Sequence, residues 1–210
     1  MHHNHIRNIY CVGRNYGEHA AELGNAIPDK PMIFTKPTHA LITMNGDEIA
    51  LPGSTGEVHY EAELVLHIGK PYVEGEKLSE MIDSMALGLD FTLRDVQSEL
   101  KKKGHPWLAA KGFRNSAALT SFLPFPGEES LSSIEFSLTI NGKEVQRGNS
   151  KDMIFSIEDV LEFIHFHYGL GPGDLIYTGT PAGVGPIASG DHTALFWGKD
   201  KLGEATIILC

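Results

Sequence analysis

Hydrophobic and polar positions alternate most sharply between Glu57 and Leu66. Along an extended strand Val58, Tyr60, Ala62, Leu64 and Leu66 point one way, and Glu57, His59, Glu61 and Glu63 the other. Short apolar runs predict strands at Ile9 to Val12, delivering the loop Gly13-Arg14-Asn15-Tyr16-Gly17, and at Pro31 to Lys36, closed by Pro37. Glu18 to Leu23 reads as a short helix stopped by Gly24-Asn25, and Leu78 to Met85 as a second helix. The run Ala86 to Thr92 reads as a buried strand ended by Asp90. Thr92 and Asp95 have the spacing of a capping box, ahead of a helix with Val96 and Leu100 facing inward and a stop at Gly104 and Pro106. The same spacing recurs at Ser156 and Asp159, where Ile157, Val160, Leu161, Ile164 and Tyr168 keep the helical period until Gly169.

Phe136 to Ile140, Asn141-Gly142 and the residues from Glu144 onward form a hairpin pattern with a two-residue turn. Strands at Leu175 to Thr178, near 193 to 197 and near 204 to 209 complete the chain. Strands dominate and helices are few, which predicts a β-rich α+β fold rather than a doubly wound sheet. A chain of 210 residues with no repeat or linker suits a single domain over 1–210, with the N-terminal strand and short helix of 1–45 packed on it.

Composition narrows the function. A formal charge of -10, with Lys101-Lys102-Lys103 as the one short basic stretch, argues against a nucleic-acid surface. Cys11 and Cys210 lack metal-site or disulfide-framework spacing, and a reduced, cytoplasmic setting fits them. The start, with His2, His3 and His5, has no signal-peptide core, and no run approaches the about 18 apolar residues of a membrane span. We therefore expect no nucleic-acid and no membrane partner.

Glu61 and Glu63 stand about 7 Å apart on one strand face, with no cation between them in sequence, and repel unless water or a cation intervenes. An ordinary strand with one wet face has the same pattern, so the pair alone does not decide the matter. Asp90 adds a third acid, costly at the end of so apolar a run unless paired, hydrogen-bonded or metal-bound; pairing with Arg94 or capping the next helix would serve as well. Three carboxylates without a cysteine set suit Mg2+ or Mn2+. His19 and Glu22 lie three apart on one helical face, the spacing of a base and its orienting carboxylate and also of a common surface contact. Lys111 sits among apolar neighbours, where its ammonium either finds an anion or snorkels. The loop Thr178 to Pro186 lacks the Walker lysine, yet its glycines and Thr180 offer N–H groups and a hydroxyl to a small carboxylate.

Gly13-Arg14-Asn15-Tyr16 with His19 and Glu22, Thr35-Lys36-Pro37, Tyr60-Glu61-Ala62-Glu63-Leu64, Leu89-Asp90-Phe91-Thr92 with Arg94-Asp95-Val96-Gln97, Ala110-Lys111, Met153-Ile154-Phe155-Ser156 and Thr178-Gly179-Thr180-Pro181 together strongly resemble the fumarylacetoacetate hydrolase family, closest to its short branch with acylpyruvase and oxaloacetate decarboxylase activities. The resemblance implies a homodimer built on a mixed β-sandwich roll, with Mg2+ or Mn2+ on Glu61, Glu63 and Asp90 and a water-activating dyad at His19 and Glu22. It places Lys111 beside the metal and makes Arg14, Lys36, Arg94, Gln97 and Thr180 candidates for holding oxygens of a small 2-oxo acid. Gly112 to Ser116 departs from relatives that carry an aspartate there. The expected reaction is hydrolysis of a carbon–carbon bond in an acylpyruvate through a metal-stabilised pyruvate enolate. Oxaloacetate decarboxylation or tautomerisation and 2-hydroxyhepta-2,4-diene-1,7-dioate isomerisation are the enzymatic alternatives, and a metal-dependent dicarboxylate-binding module the non-enzymatic one.

Overall fold

The strands Ala62–Ile68 and Ile82–Asp90 form an antiparallel pair around which the other elements are arranged, and nearly every residue of both is buried. The computed structural model describes residues 6–17 and 28–210, so the helix expected over Glu18 to Leu23 lies outside the described residues. This pair is the centre of an eight-stranded mixed sheet. From one edge the order is Met32–Lys36, Ile9–Gly13, Leu175–Tyr177, Ala62–Ile68, Ile82–Asp90, Ala117–Leu119 and Leu41–Thr43, with Leu123–Pro124 also on Ile82–Asp90. Parallel pairings, Ile9–Gly13 with Leu175–Tyr177 and Leu41–Thr43 with Ala117–Leu119, interrupt the antiparallel ones.

A second sheet has five strands, in the order Lys143–Gly148, Phe136–Ile140, His192–Trp197, Asp200–Leu209 and Asn45–Leu51. Leu64, Leu66, Leu87 and Leu89 from the first sheet share one core with Phe136, Leu138, Leu195 and Ile207 from the second. Alternate residues of the same central strands, Val65 and Ala86, pack into a second cluster with Ile9, Cys11, Leu175 and Tyr177. Two buried faces explain why these strands read as apolar runs rather than clean alternations. Four short helices complete the described residues, which agrees with the β-rich α+β expectation. None of them is long and apolar enough to cross a membrane.

Several local readings hold. Ser156 and Asp159 close a reciprocal capping box on the helix Ile157–Tyr168. Asn141 and Gly142 both have positive φ, 52° and 78°, as a tight two-residue hairpin turn requires. Gly104, at φ 66°, ends the helix Arg94–Lys103.

Three readings need correction. The segment Leu78 to Met85 is a single 3-10 turn, Leu78–Met81, that runs directly into the strand Ile82–Asp90. The Glu158 carboxylate accepts the Leu78 and Ser79 N–H groups at 2.7 and 3.0 Å, and pairing with Ala62–Ile68 then overrides helical propensity. Thr92 and Asp95 form no capping box, because the Thr92 hydroxyl turns to the Asp90 carbonyl and Asp95 accepts the Glu57 N–H at 3.0 Å. The strand expected across Glu57 to Leu66 breaks at Glu61, with Val58–Tyr60 in a three-stranded sheet beside Thr92–Leu93 and Gly185–Pro186. Its polar face is consequently split: Glu57 is exposed, whereas Glu61 and Glu63 are buried.

Gly88 lies opposite Glu63 in the central pair, and a Cβ there would stand 2.7 Å from the Tyr177 ring and 2.8 Å from the Ala118 carbonyl. We predict that Gly88→Ala destabilises the protein by about 1–3 kcal/mol through overpacking. Urea unfolding checks this, and a midpoint equal to wild type would contradict the tight approach.

Candidate metal centre and substrate cleft

The break after Val58–Tyr60 and the end of the strand Ile82–Asp90 bring three acids to one level of the structure. The Asp90 N–H donates to the Glu61 carbonyl at 2.9 Å, tying the two backbones together where their side chains converge. Glu61, Glu63 and Asp90 are 6, 2 and 0 % exposed, and a carboxylate oxygen from each lies within 4.8 Å of the others. Repulsion in so dry a place is visible at Glu63. Burial first, then the charges of Asp90 and Glu61, push its carboxyl well above the usual carboxylate range, with the Gly179 N–H and Lys111 pulling back.

Three cations answer the three acids. Lys111, from the one-turn helix Leu108–Lys111, places Nζ 2.6 Å from Glu61 Oε2 and 2.7 Å from Asp90 Oδ2. Burial alone would lower its pKa, but Asp90 and Glu61 outweigh burial and raise it, so the ammonium stays charged. Lys36, at the end of the strand Met32–Lys36, sits 2.7 Å from Asp90 Oδ1 and directs hydrogens at the Phe91 and Lys111 carbonyls. Its ammonium is fully buried behind Asp90. Arg94 donates from one terminal nitrogen to Glu61 at 2.6 Å and from the other to Gln97 at 2.7 Å, while its buried Nε has no partner.

The acids open onto a cleft. Arg14, Arg94, Gln97, Lys101, Lys111 and Thr180 line it together with Met32, Phe34 and Trp107. Of the positions expected from sequence, Arg14, Glu61, Glu63, Asp90, Arg94, Gln97, Lys111 and Thr180 meet in this one place, and His19 and Glu22 lie outside the described residues. The Thr180 hydroxyl is engaged: it donates to the Ala62 carbonyl at 2.9 Å and accepts from Gln146 Nε2 at 2.8 Å.

Gln146, Asn15 and Lys101, absent from the sequence-based selection, shape the site, as does Gly179, which figured there only among the glycines of its loop. Gln146 accepts the Ala62 N–H at 2.9 Å, gripping the backbone between Glu61 and Glu63. Asn15, fully buried, donates to the Thr178 carbonyl and accepts the Phe155 N–H, which pins the loop carrying Arg14 to the segment before Gly179. Gly179, at φ 104°, gives its N–H to Glu63 Oε2 at 2.8 Å, and a Cβ there would meet Asn15 at 2.8 Å. Lys101 was legible in principle, because Arg94, Gln97 and Lys101 recur at i, i+3 and i+7 on one helix. Gln146 and the pairing of Asn15 carry no local signal.

The acid cluster suits a hard divalent cation. Such an ion holds oxygens at about 2.0–2.6 Å and so needs them within about twice that distance of one another. The donor set is all oxygen, which matches Mg2+ or Mn2+ rather than a thiophilic metal. Lys111 already bridges two of the three acids, so a bound ion and this ammonium would share the same negative field.

Residues 8–206 match the family model described as fumarylacetoacetate (FAA) hydrolase C-terminal, and the chain belongs to this family. It is 39% identical over 192 residues to the oxaloacetate tautomerase YcgM of Escherichia coli, covering 89% of this chain and 86% of that one. An oxaloacetate decarboxylase of Dictyostelium discoideum is 38% identical over 186 residues, covering 88% and 85%. Among solved structures, the fumarylpyruvate hydrolase of Pseudomonas aeruginosa in complex with Mn2+ and pyruvate superposes with a TM-score of 0.88 at 34% identity, covering 98% of this chain and 91% of that one.

The raised Glu63 carboxyl yields a stability test. In metal-free protein the folded state keeps this proton to higher pH than the unfolded chain does, so stability falls as pH rises from about 4.3, the unfolded glutamate value, toward the folded one. We predict that Glu63→Gln raises the metal-free melting temperature at pH 7, that the gain shrinks toward pH 4, and that Mn2+ no longer stabilises the variant. Equal Mn2+ stabilisation of variant and wild type would exclude Glu63 as a ligand.

Proposed function

We propose that this chain is an enzyme of 2-oxo acids that works through their enolates, with keto–enol exchange of oxaloacetate as its first reaction. The observation that carries the reading is the buried triad of acids, a carboxylate oxygen of each within 4.8 Å of the others, in a cleft that Arg14, Arg94 and Lys101 also line. The relatives named oxaloacetate tautomerase and decarboxylase support that substrate class. A divalent ion on Glu61, Glu63 and Asp90 would supply Lewis-acid stabilisation of negative charge on the 2-oxo oxygen.

The chain's own groups do the rest. Lys111 holds a permanent positive charge beside Glu61 and Asp90, where it lowers the energy of an oxyanion formed nearby. Arg14 and Arg94 receive substrate carboxylate, and Gln97, fixed to Arg94, orients it. Phe34 and Trp107 wall the cleft with apolar rings that strengthen these electrostatic contacts by excluding water. In tautomerisation the proton leaves C3 and returns to oxygen, with no bond to water made.

Hydrolysis of an acylpyruvate is the second reading, favoured by His19 and Glu22 in the family motif and by the Pseudomonas hydrolase of similar structure. His19, oriented by Glu22, would take a proton from water as its oxygen adds to the distal carbonyl. The carbon–carbon bond then breaks toward C3, giving a carboxylic acid and the pyruvate enolate, which takes up a proton.

The two readings diverge at His19. We predict that His19→Ala lowers acylpyruvate hydrolysis by about 10² or more while keto–enol exchange and decarboxylation of oxaloacetate fall far less, since only hydrolysis needs an activated water. Following the ultraviolet absorbance of each enol with Mn2+ present measures both. Equal losses would remove the split, and no turnover of either substrate by wild type would leave a metal-dependent dicarboxylate-binding module.

A further inference from the structure

Two of the cations that answer the acids rest against aromatic rings, and the rings are exchanged between the segments that carry them. Lys111 Nζ lies over the Phe34 ring, 5.1 Å from its centroid, and Lys36 Nζ over the Phe113 ring at 5.8 Å. Phe34 stands two residues before Lys36 on the strand Met32–Lys36, so the pair shares one face of it, and Phe113 follows Lys111 by two. Each segment therefore supplies a lysine to Asp90 and a ring to the lysine of the other. The Lys36 ammonium also donates to the Lys111 carbonyl, which fastens the two segments together.

Phe34 lines the cleft with Lys111 and is itself held. Trp107 packs on its ring, with centroids 5.8 Å apart and planes tilted by 55°, and the Lys111 N–H donates to the Trp107 carbonyl at 3.0 Å. One turn of chain thus brings both Trp107 and the ammonium to the same ring. A ring fixed in this way is a firmer support than the flexible four-carbon stem of a lysine.

Such support matters because of what else the acids would do. The Lys111 ammonium donates to Glu61 Oε2 and Asp90 Oδ2. A divalent ion on Glu61, Glu63 and Asp90 would draw on the same negative charge and loosen that hold. The face of a ring attracts an ammonium more strongly where water is excluded, and Lys111 is only 2 % exposed.

We infer that Phe34 is a positioning residue: its π face keeps the Lys111 ammonium in one place in the cleft once a metal ion draws on Glu61 and Asp90, so that the charge stays where an enolate oxygen forms. This rests on the 2-oxo acid reading of the site, and it gives Phe34 a role beyond that of an apolar wall.

The test separates the charge on the ring face from the bulk of the ring. Replacing Phe34 by trifluorophenylalanine keeps the volume and weakens the negative face, Phe34→Leu keeps an apolar side chain without a ring, and Phe34→Tyr keeps the face. Oxaloacetate keto–enol exchange with Mn2+ present gives kcat and KM. The heteronuclear spectrum of the lysine ammonium groups, with and without diamagnetic Mg2+, follows the Lys111 signal, which is assigned by its loss in Lys111→Met. Phe34→Leu should lower kcat about tenfold with KM within about twofold of wild type, and Phe34→Tyr should restore turnover. The trifluorinated variant should lose a comparable factor at an unchanged melting temperature. In wild type with Mg2+ the Lys111 ammonium protons should show the upfield shift of protons held over a ring, and Phe34→Leu should abolish it. A trifluorinated variant as active as wild type, a rise in KM with kcat unchanged, or an ammonium signal that stays put when the ring is removed would overturn the inference. A wild type that turns over no 2-oxo acid would sink the enzymatic reading instead, and the ammonium spectrum would then decide this inference by itself.

Discussion

Three carboxylates driven into one dry corner of a β-fold are the constraint on which the rest of this structure depends. Left uncompensated, each buried charge would cost several kcal/mol, and their mutual repulsion would add to that. The protein answers with three cations delivered from separate places: a strand end for Lys36, a single helical turn for Lys111, and the opening of a longer helix for Arg94. The compensation is partial, since Glu63 remains inclined to keep its proton, and a residual demand for positive charge is what a cation site needs.

Holding those groups in place occupies much of the polar machinery nearby. Gln146 and Thr180 fasten the backbone at Ala62 from the second sheet and from the loop after Leu175–Tyr177. Asn15 ties the Arg14 loop to the segment that gives Glu63 its Gly179 N–H. These bonds are made in buried surroundings, where an unsatisfied partner is costly, so they lock the geometry rather than merely decorate it. Behind them the two hydrophobic clusters on either side of the central strands supply the rigidity against which the charges are set.

The cleft combines opposite demands in a small space. Its lining joins acids suited to a cation, basic side chains suited to an anion, and the apolar side chains of Met32, Phe34 and Trp107. A small acid that chelates a cation while carrying further negative charge satisfies all three, which is the chemical common ground of the tautomerase, decarboxylase and hydrolase names borne by the relatives. Reaction choice among them turns on proton traffic at C3 and on whether water is activated, not on the acid cluster they would share.

Much of the architecture was legible from local pattern. The hairpin at Asn141-Gly142, the capped helix from Ile157 and the strands at both ends of the chain follow from turn chemistry and periodicity acting over a few residues. The acids, Lys111 and the basic positions of the cleft were nameable because their residue types are poorly explained in such apolar surroundings, and because several short motifs occur together. What local pattern misjudged was each place where a distant partner decides. The segment at Leu78 joined a sheet because Glu158 and the strand Ala62–Ile68 claimed it, and the Thr92 hydroxyl and Asp95 turned to other backbone groups instead of capping. Lys36 meets Asp90, a partner far away in sequence. Residue type and spacing therefore determined which groups carry charge and which segments bury. Only the tertiary fold decided which charges meet, because ion pairing and burial depend on separations in space that chain distance does not encode.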